Sequence, residues 1–162
     1  AEFFFSEQLS VRPRIVKEFD AILCIDAAYH FTNLNDFLQA SIRILPPKGR
    51  LGFHFLCLKS QKNISPWLKK IFLMANVHAD EFRTETELIE DMKYQGFQEV
   101  ELVDLSDRVL LGFSMFIDRR SKDLKWKSKM KPAWWKIQAT SFICRRVILE
   151  GSLKYMMVRG TV

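Results

Sequence analysis

The most restrictive feature of the sequence is a pair of apolar runs separated by one amphipathic stretch and a proline stop. The first run is Phe19-Asp20-Ala21-Ile22-Leu23-Cys24-Ile25-Asp26-Ala27. Nearly continuous apolar character predicts a central strand covered on both faces, as in a parallel sheet. Asn33 then caps a predicted helix whose apolar residues Leu34, Phe37, Leu38, Ile42 and Leu45 recur at spacings of three and four, marking one buried stripe. Pro46-Pro47-Lys48-Gly49 ends it, because proline lacks the backbone donor that a further turn requires. Leu51 to Leu58 is the second run. Strand, helix, stop and strand make a βαβ unit, whose crossover is expected to be right-handed.

Downstream, Ser65-Pro66 is a helix start with proline at the first helical position, and Trp67, Leu68, Ile71, Phe72 and Ala75 supply its apolar side. Thr84 and Glu87 have capping-box spacing, ahead of a helix buried through Leu88, Ile89 and Met92 and stopped by Gly96. Phe97 to Leu105 alternates as a strand with one better-buried face does. Helices are predicted over 107–118 and 133–149, and a last strand over 153–160. The sequence holds no internal repeat and no low-complexity segment.

At 162 residues and 48% hydrophobic, the chain is long enough and apolar enough for one domain with a filled core. Lys+Arg 25 against Asp+Glu 19 leaves a net charge of +6, basic but far from histone-like. That charge is segregated. Acids dominate 80–107, whereas 119–146 sets Arg119, Arg120, Lys122, Lys125, Lys127, Lys129, Lys131, Lys136, Arg145 and Arg146 against Asp123 alone. Trp126, Trp134 and Trp135 stand within that basic stretch. Cys24, Cys57 and Cys144 are scattered and odd in number, which suits reduced thiols and a cytoplasmic or cytosol-facing placement. No apolar run approaches the ~18 residues of a membrane span, and the Phe3-Phe4-Phe5 cluster lies among charges foreign to a signal peptide.

The order of Phe19-Asp20, an apolar strand, Ala28-Tyr29-His30-Phe31, an amphipathic helix and Leu45-Pro46-Pro47-Lys48-Gly49-Arg50-Leu51 resembles the second half of a class I S-adenosylmethionine-dependent methyltransferase domain. Many members carry an x-His-Phe stretch after that strand and then L-x-P-G-G-x-L; here Lys48 stands where the first of the two glycines is usual. The resemblance covers roughly residues 15 to 162 and implies an α/β fold: a Rossmann-like sheet with flanking helices, and a helical cap inserted over 107–149 before the last strand. It also implies S-adenosyl-L-methionine as cofactor. The family's glycine-rich cofactor loop has no counterpart, since the six glycines are scattered singly with no Gly-x-Gly. The chain therefore reads as a single unit, 1–162, from the C-terminal part of such a domain. Its N-terminal strands and cofactor half are expected upstream, and the piece alone is expected to be inactive.

Under that resemblance, Ala1 and Glu2 fall in the segment bordering the adenine. Ligands of open α/β sheets bind beyond the strands' carboxyl ends, which places Asp26, Ala27, Tyr29 and His30 at the site's edge. Asp26 is a candidate for the cofactor's methionine ammonium, with a turn-capping role as the alternative, and Ala27 leaves room for the methionine chain. His30 is the candidate general base, with loop ordering as its alternative. Tyr29, Trp134 and Trp135 are candidate acceptor contacts, although Tyr29 serves equally as a packing residue. His54, inside a strand, reads as a hydrogen-bonded core or supporting group, and His78 as a helix-end residue. No metal-ligand spacing and no G-x-S-x-G elbow occurs.

The basic, tryptophan-bearing segment has three readings: a solvated cap over the sheet, a peripheral membrane contact, or a nucleic-acid contact, the last least favoured. An aromatic-rich roof suits a small apolar or aromatic acceptor such as a lipid, sterol, quinone or polyketide. The rival from another class is a non-catalytic methyltransferase-like module that binds a partner protein or a membrane.

Overall fold

The computed structural model of the chain describes residues 19–60 and 64–162. Ala1, Glu2 and the Phe3-Phe4-Phe5 cluster lie outside them. The elements run β1 (Ala21–Cys24), α1 (Leu34–Ile44), β2 (Arg50–Leu58), α2 (Pro66–Met74), β3 (Arg83–Thr84), α3 (Glu85–Gln95) and β4 (Gln98–Asp104). A π-helical turn (Asp107–Leu111) leads into α4 (Gly112–Asp123), α5 (Trp126–Lys129), α6 (Pro132–Glu150) and β5 (Leu153–Thr161). The sheet order is β1-β2-β5-β4. β1 and the two-residue β3 run parallel to β2, whereas β5 is antiparallel to both β2 and β4. The final strand thus enters the middle of the sheet, and it pairs with β2 along its whole length, from Arg50↔Thr161 to Leu58↔Leu153.

Local chemistry accounts for the helix ends. Asn33 Oδ1 accepts from the Asn35 and Asp36 amides, satisfying donors that α1 leaves unpaired. At α3, Glu87 Oε2 accepts from the Thr84 amide at 2.8 Å while Thr84 Oγ1 accepts from the Glu87 amide, the reciprocal box that the spacing predicts. α3 closes on Gly96 at φ 106 and α6 on Gly151 at φ 60, both in the left-handed region.

One sheet face carries the core. Leu51, Phe53, Phe55 and Cys57 are each at most 1% exposed and project toward α1 and α3. Phe37 packs edge-on to Phe53, their rings 5.6 Å apart, and Phe72 and Phe82 extend the cluster. Each fully buried Phe contributes roughly 1.5–3 kcal/mol. β1 departs from the sequence expectation. It spans 21–24 instead of 19–27 and lies at an edge, and Leu23 is 73% and Ile25 63% exposed. Among the described residues nothing covers that face, so the apolar run signals more burial than these neighbours provide.

Candidate active site at the carboxyl end of the sheet

Past β1 the chain reverses at once. Asp26 sits at φ 54, a conformation Asp tolerates better than most residues. A single 3₁₀ turn, Ala28–His30, follows; the His30 amide donates to the Ala27 carbonyl at 3.0 Å, and Ala28 is 1% exposed. The buried alanine anchors the turn, and Asp26, Tyr29 and His30 surround it at the edge where α/β sheets bind ligands.

His30 Nδ1 lies 2.7 Å from the Asn76 carbonyl, just after α2. A carbonyl only accepts, so Nδ1 carries the proton, and in the neutral ring Nε2 holds the lone pair. One contact therefore orders the loop and leaves a base on the other nitrogen. Tyr29 stacks obliquely on His30, with ring centroids 4.6 Å apart. Burial pushes the Tyr29 phenol up to about 12, helped by the negative charge of Asp26 and by Cys144 and Cys24. At neutral pH Tyr29 is a neutral hydroxyl, suited to donating a hydrogen bond and not to acting as a base.

Asp26 is held from two strands across the sheet. Tyr155, on β5, donates its hydroxyl hydrogen bond to Asp26 Oδ1, and the same hydroxyl lies 2.7 Å from His54 Nδ1 on β2. His54 Nδ1 is 3.5 Å from Asp26 Oδ1, and the His54 and Tyr155 rings meet edge-on. The sequence reading of His54 as a hydrogen-bonded supporting group describes this position. Nothing local in the sequence singles out Tyr155: its number lies 129 away from Asp26, and only the insertion of β5 beside β2 joins them. A lone Tyr among apolar residues of the last strand was the one available signal.

The structure does not gather the tryptophans at this edge. Cys144 of α6 is near enough to Tyr29 to bear on its ionisation, while Trp134 and Trp135 precede Cys144 on the same helix by about 15 Å at 1.5 Å per residue. Trp134 is 8% exposed, and its Nε1 is buried without a partner among the described residues. Trp135 is 61% exposed and donates Nε1 to the Lys129 carbonyl at 2.9 Å. α6 is fixed by other contacts: Ser114 of α4 donates to the Ser141 carbonyl at 2.7 Å, and the Arg146 guanidinium lies 5.7 Å from the Trp67 ring centre on α2.

Elsewhere, a cavity of about 430 Å³ bounded by Arg50, Glu101, Arg159 and Thr161 opens where β2 begins and the antiparallel β5 ends, at the opposite end of the sheet from Asp26 and His30. Among the described residues no three His, Cys, Asp or Glu side chains converge as a metal site, and no helix is long and apolar enough to cross a membrane.

The order and direction of the strands, with helices against them, define the fold. The fold is that of the Rossmann-like class I S-adenosylmethionine-dependent methyltransferases. Phosphoethanolamine N-methyltransferase 2 of Haemonchus contortus, solved with phosphomonomethylethanolamine and S-adenosylhomocysteine, superposes with TM-score 0.74 at 15% identity, over 90% of this chain and 34% of its own. Geranyl diphosphate C-methyltransferase of Streptomyces coelicolor A3(2), solved with magnesium, geranyl diphosphate and S-adenosyl-L-homocysteine, gives 0.64 at 15% identity, over 88% and 46%. The [4+2]-cyclase SpnF gives 0.59 at 16%, over 93% and 53%. The chain thus spans about a third to a half of these proteins. No family model and no curated protein matches the sequence.

Proposed function

We propose that this chain is the acceptor-side part of an S-adenosylmethionine-dependent methyltransferase acting on a small apolar or aromatic molecule. The observation that carries the reading is the turn beyond β1. It presents an anionic oxygen of Asp26, a small Ala27 and a base on His30 at one sheet edge, in a fold that neighbours use with S-adenosylhomocysteine bound. The donor set suits the cofactor's cationic end: Asp26 is 60% exposed at its side chain, and only one carboxylate oxygen is engaged by Tyr155 and His54. Asp26 would hold the methionine ammonium, with Ala27 beside the methionine chain. When bound, the cofactor supplies an electrophilic methyl group on a sulfonium.

The chain's own residues orient the acceptor and manage its proton. Tyr29 donates a hydrogen bond from a hydroxyl that stays protonated. His30 Nε2 takes the acceptor's proton while Nδ1 remains tied to Asn76, so the imidazole keeps its orientation as its charge changes. Trp134 and Trp135 would reach only an extended acceptor lying along α6. The acceptor classes that fit are a lipid, sterol, quinone or polyketide; a protein with this fold binds geranyl diphosphate. The SpnF likeness marks the boundary of the argument, because there the same fold serves a cyclase.

The test is made in the longer protein that contains this chain, at saturating cofactor. His30→Ala is expected to lower kcat by roughly 10² while cofactor affinity barely changes. His30→Asn keeps a hydrogen bond to Asn76 but cannot take up a proton at neutral pH. An Asn variant with near wild-type kcat would reduce His30 to a loop-ordering residue.

A second reading rests on the exposed aromatics of α4 to α6: Phe116, Trp126, Trp135 and Phe142 are each more than half exposed beside the cations of 119–146. In it, that segment meets an anionic membrane surface.

A further inference from the structure

We infer that Tyr155 and His54 are positioning residues for Asp26, acting through a hydrogen-bond chain that runs in one direction, from His54 Nδ1–H to the Tyr155 hydroxyl and from that hydroxyl to the Asp26 carboxylate. The direction follows from counting protons. An ionised carboxylate only accepts, and a phenol has one proton to give. Because Tyr155 gives that proton to Asp26 Oδ1, its oxygen can only accept from His54, whose Nδ1 lies 2.7 Å away. His54 is thereby fixed as the Nδ1–H tautomer when neutral.

Three features show that the chain acts on Asp26 and is more than filler in the core. Asp26 occupies the left-handed region, at φ 54, which costs a residue with a β-carbon something even where, as for Asp, it is tolerated. His54 is 19% exposed at its side chain and Asp26 60%, so the chain leads from the sheet interior to the rim. It also ties three separate elements, the turn after β1, β2 and β5, to one oxygen atom. Oδ2 makes no hydrogen bond among the described residues, so the arrangement orients that oxygen toward a cationic or hydroxyl-bearing ligand. Only the identity of the ligand rests on the functional reading above.

The test needs no cofactor. Long-range ¹H–¹⁵N spectra of the chain, recorded at a pH about two units above the usual His range, report which ring nitrogen of His54 bears the proton. The Nδ1–H form is expected in the wild type and in Asp26→Asn, whose amide oxygen still accepts. In Asp26→Ala the Tyr155 proton has no carboxylate to meet and turns to His54 Nδ1, so the ring is expected to switch to Nε2–H. Scalar couplings about Asp26 χ1 give an independent readout: one rotamer in the wild type, and averaged couplings in Tyr155→Phe, which keeps the ring and loses the hydroxyl. An Nε2–H wild type, or Asp26 couplings unchanged by Tyr155→Phe, would overturn the inference. The coupling measurement decides even if Asp26→Ala does not fold. Titration of S-adenosylhomocysteine onto the longer protein stands apart from both: no binding there counts against methyl transfer and leaves the tautomer result intact.

Discussion

Asp26 and His30 are separated by three residues, and the turn between them sets which atoms each can offer. Asp26 offers one oxygen because Tyr155 holds the other; His30 offers Nε2 because Asn76 holds Nδ1. The same local accounting applies to Cys57, on β2. Burial pushes its thiol up to about 12, with Glu85 adding to the shift and Lys154 opposing it. Alkylation needs the thiolate, so at pH 8 only about 10⁻⁴ of Cys57 is reactive in the folded chain. Iodoacetamide is expected to leave Cys57 unmodified under native conditions and to modify it after denaturation, as peptide mass spectrometry would show. Ready native labelling would contradict its burial. The linkage has a definite sign. The folded pKa lies above the ordinary value of 9.0, so the native state keeps a proton that the unfolded chain loses. Stability therefore falls as pH rises from about 9 toward 12 and is unaffected by this group below that window.

Among the elements, the junction of α1 and α3 depends on one missing side chain. Gly96 ends α3 at φ 106, and a β-carbon there would lie 2.9 Å from Cδ1 of Ile42 on α1. Both the backbone conformation and the close approach exclude larger residues. Gly96→Ala is expected to destabilise the chain by about 1–2 kcal/mol from the left-handed conformation alone, and somewhat more if Ile42 cannot shift. A lowered urea midpoint at unchanged m-value would show it, and an unchanged midpoint would mean that α3 can end elsewhere. This element was legible in the sequence: Thr84, Glu87 and Gly96 marked its start and stop, and both ends formed as those residues predict. The segment after β4 was less legible. A helix over 107–118 was expected, and instead a π-helical turn over Asp107–Leu111 passes into α4, which runs on to Asp123. Nothing in helical periodicity separates a wide turn from a regular one, because both keep a buried stripe over so short a stretch.

At the scale of the molecule, charge and exposure are both uneven. The segment 119–146 carries the basic excess, and Trp126 and Trp135 on it are 71% and 61% exposed. A membrane surface would recruit it through both features: each Lys or Arg near anionic lipid contributes roughly 1 kcal/mol, and tryptophan favours the interface. Flotation with phosphatidylserine-containing vesicles is expected to show binding at low salt that is lost as salt rises. Trp126→Ala with Trp135→Ala should weaken it at unchanged charge. Binding indifferent to salt and to both substitutions would leave 119–146 a solvated helical layer. The bare face at β1 belongs to this scale as well: the apolar run predicts burial, whereas Leu23 on the strand and Ile25 just past it are exposed among the described residues.

The order of residues along the chain is enough for the βαβ unit, the helix stops at Pro46 and Gly96, the capping box, and the strand end at which Asp26, Ala27, Tyr29 and His30 stand. Each of these is written in neighbouring residues, through period, capping chemistry or proline and glycine geometry. Packing in three dimensions sets the rest: β5 enters antiparallel between β2 and β4, Tyr155 thereby reaches Asp26 and His54, and Trp134 turns inward while Trp135 faces out. The reason is physical: a strand's partners are chosen by long-range pairing and by the face it buries, and neither leaves a mark in the spacing of the residues that it joins.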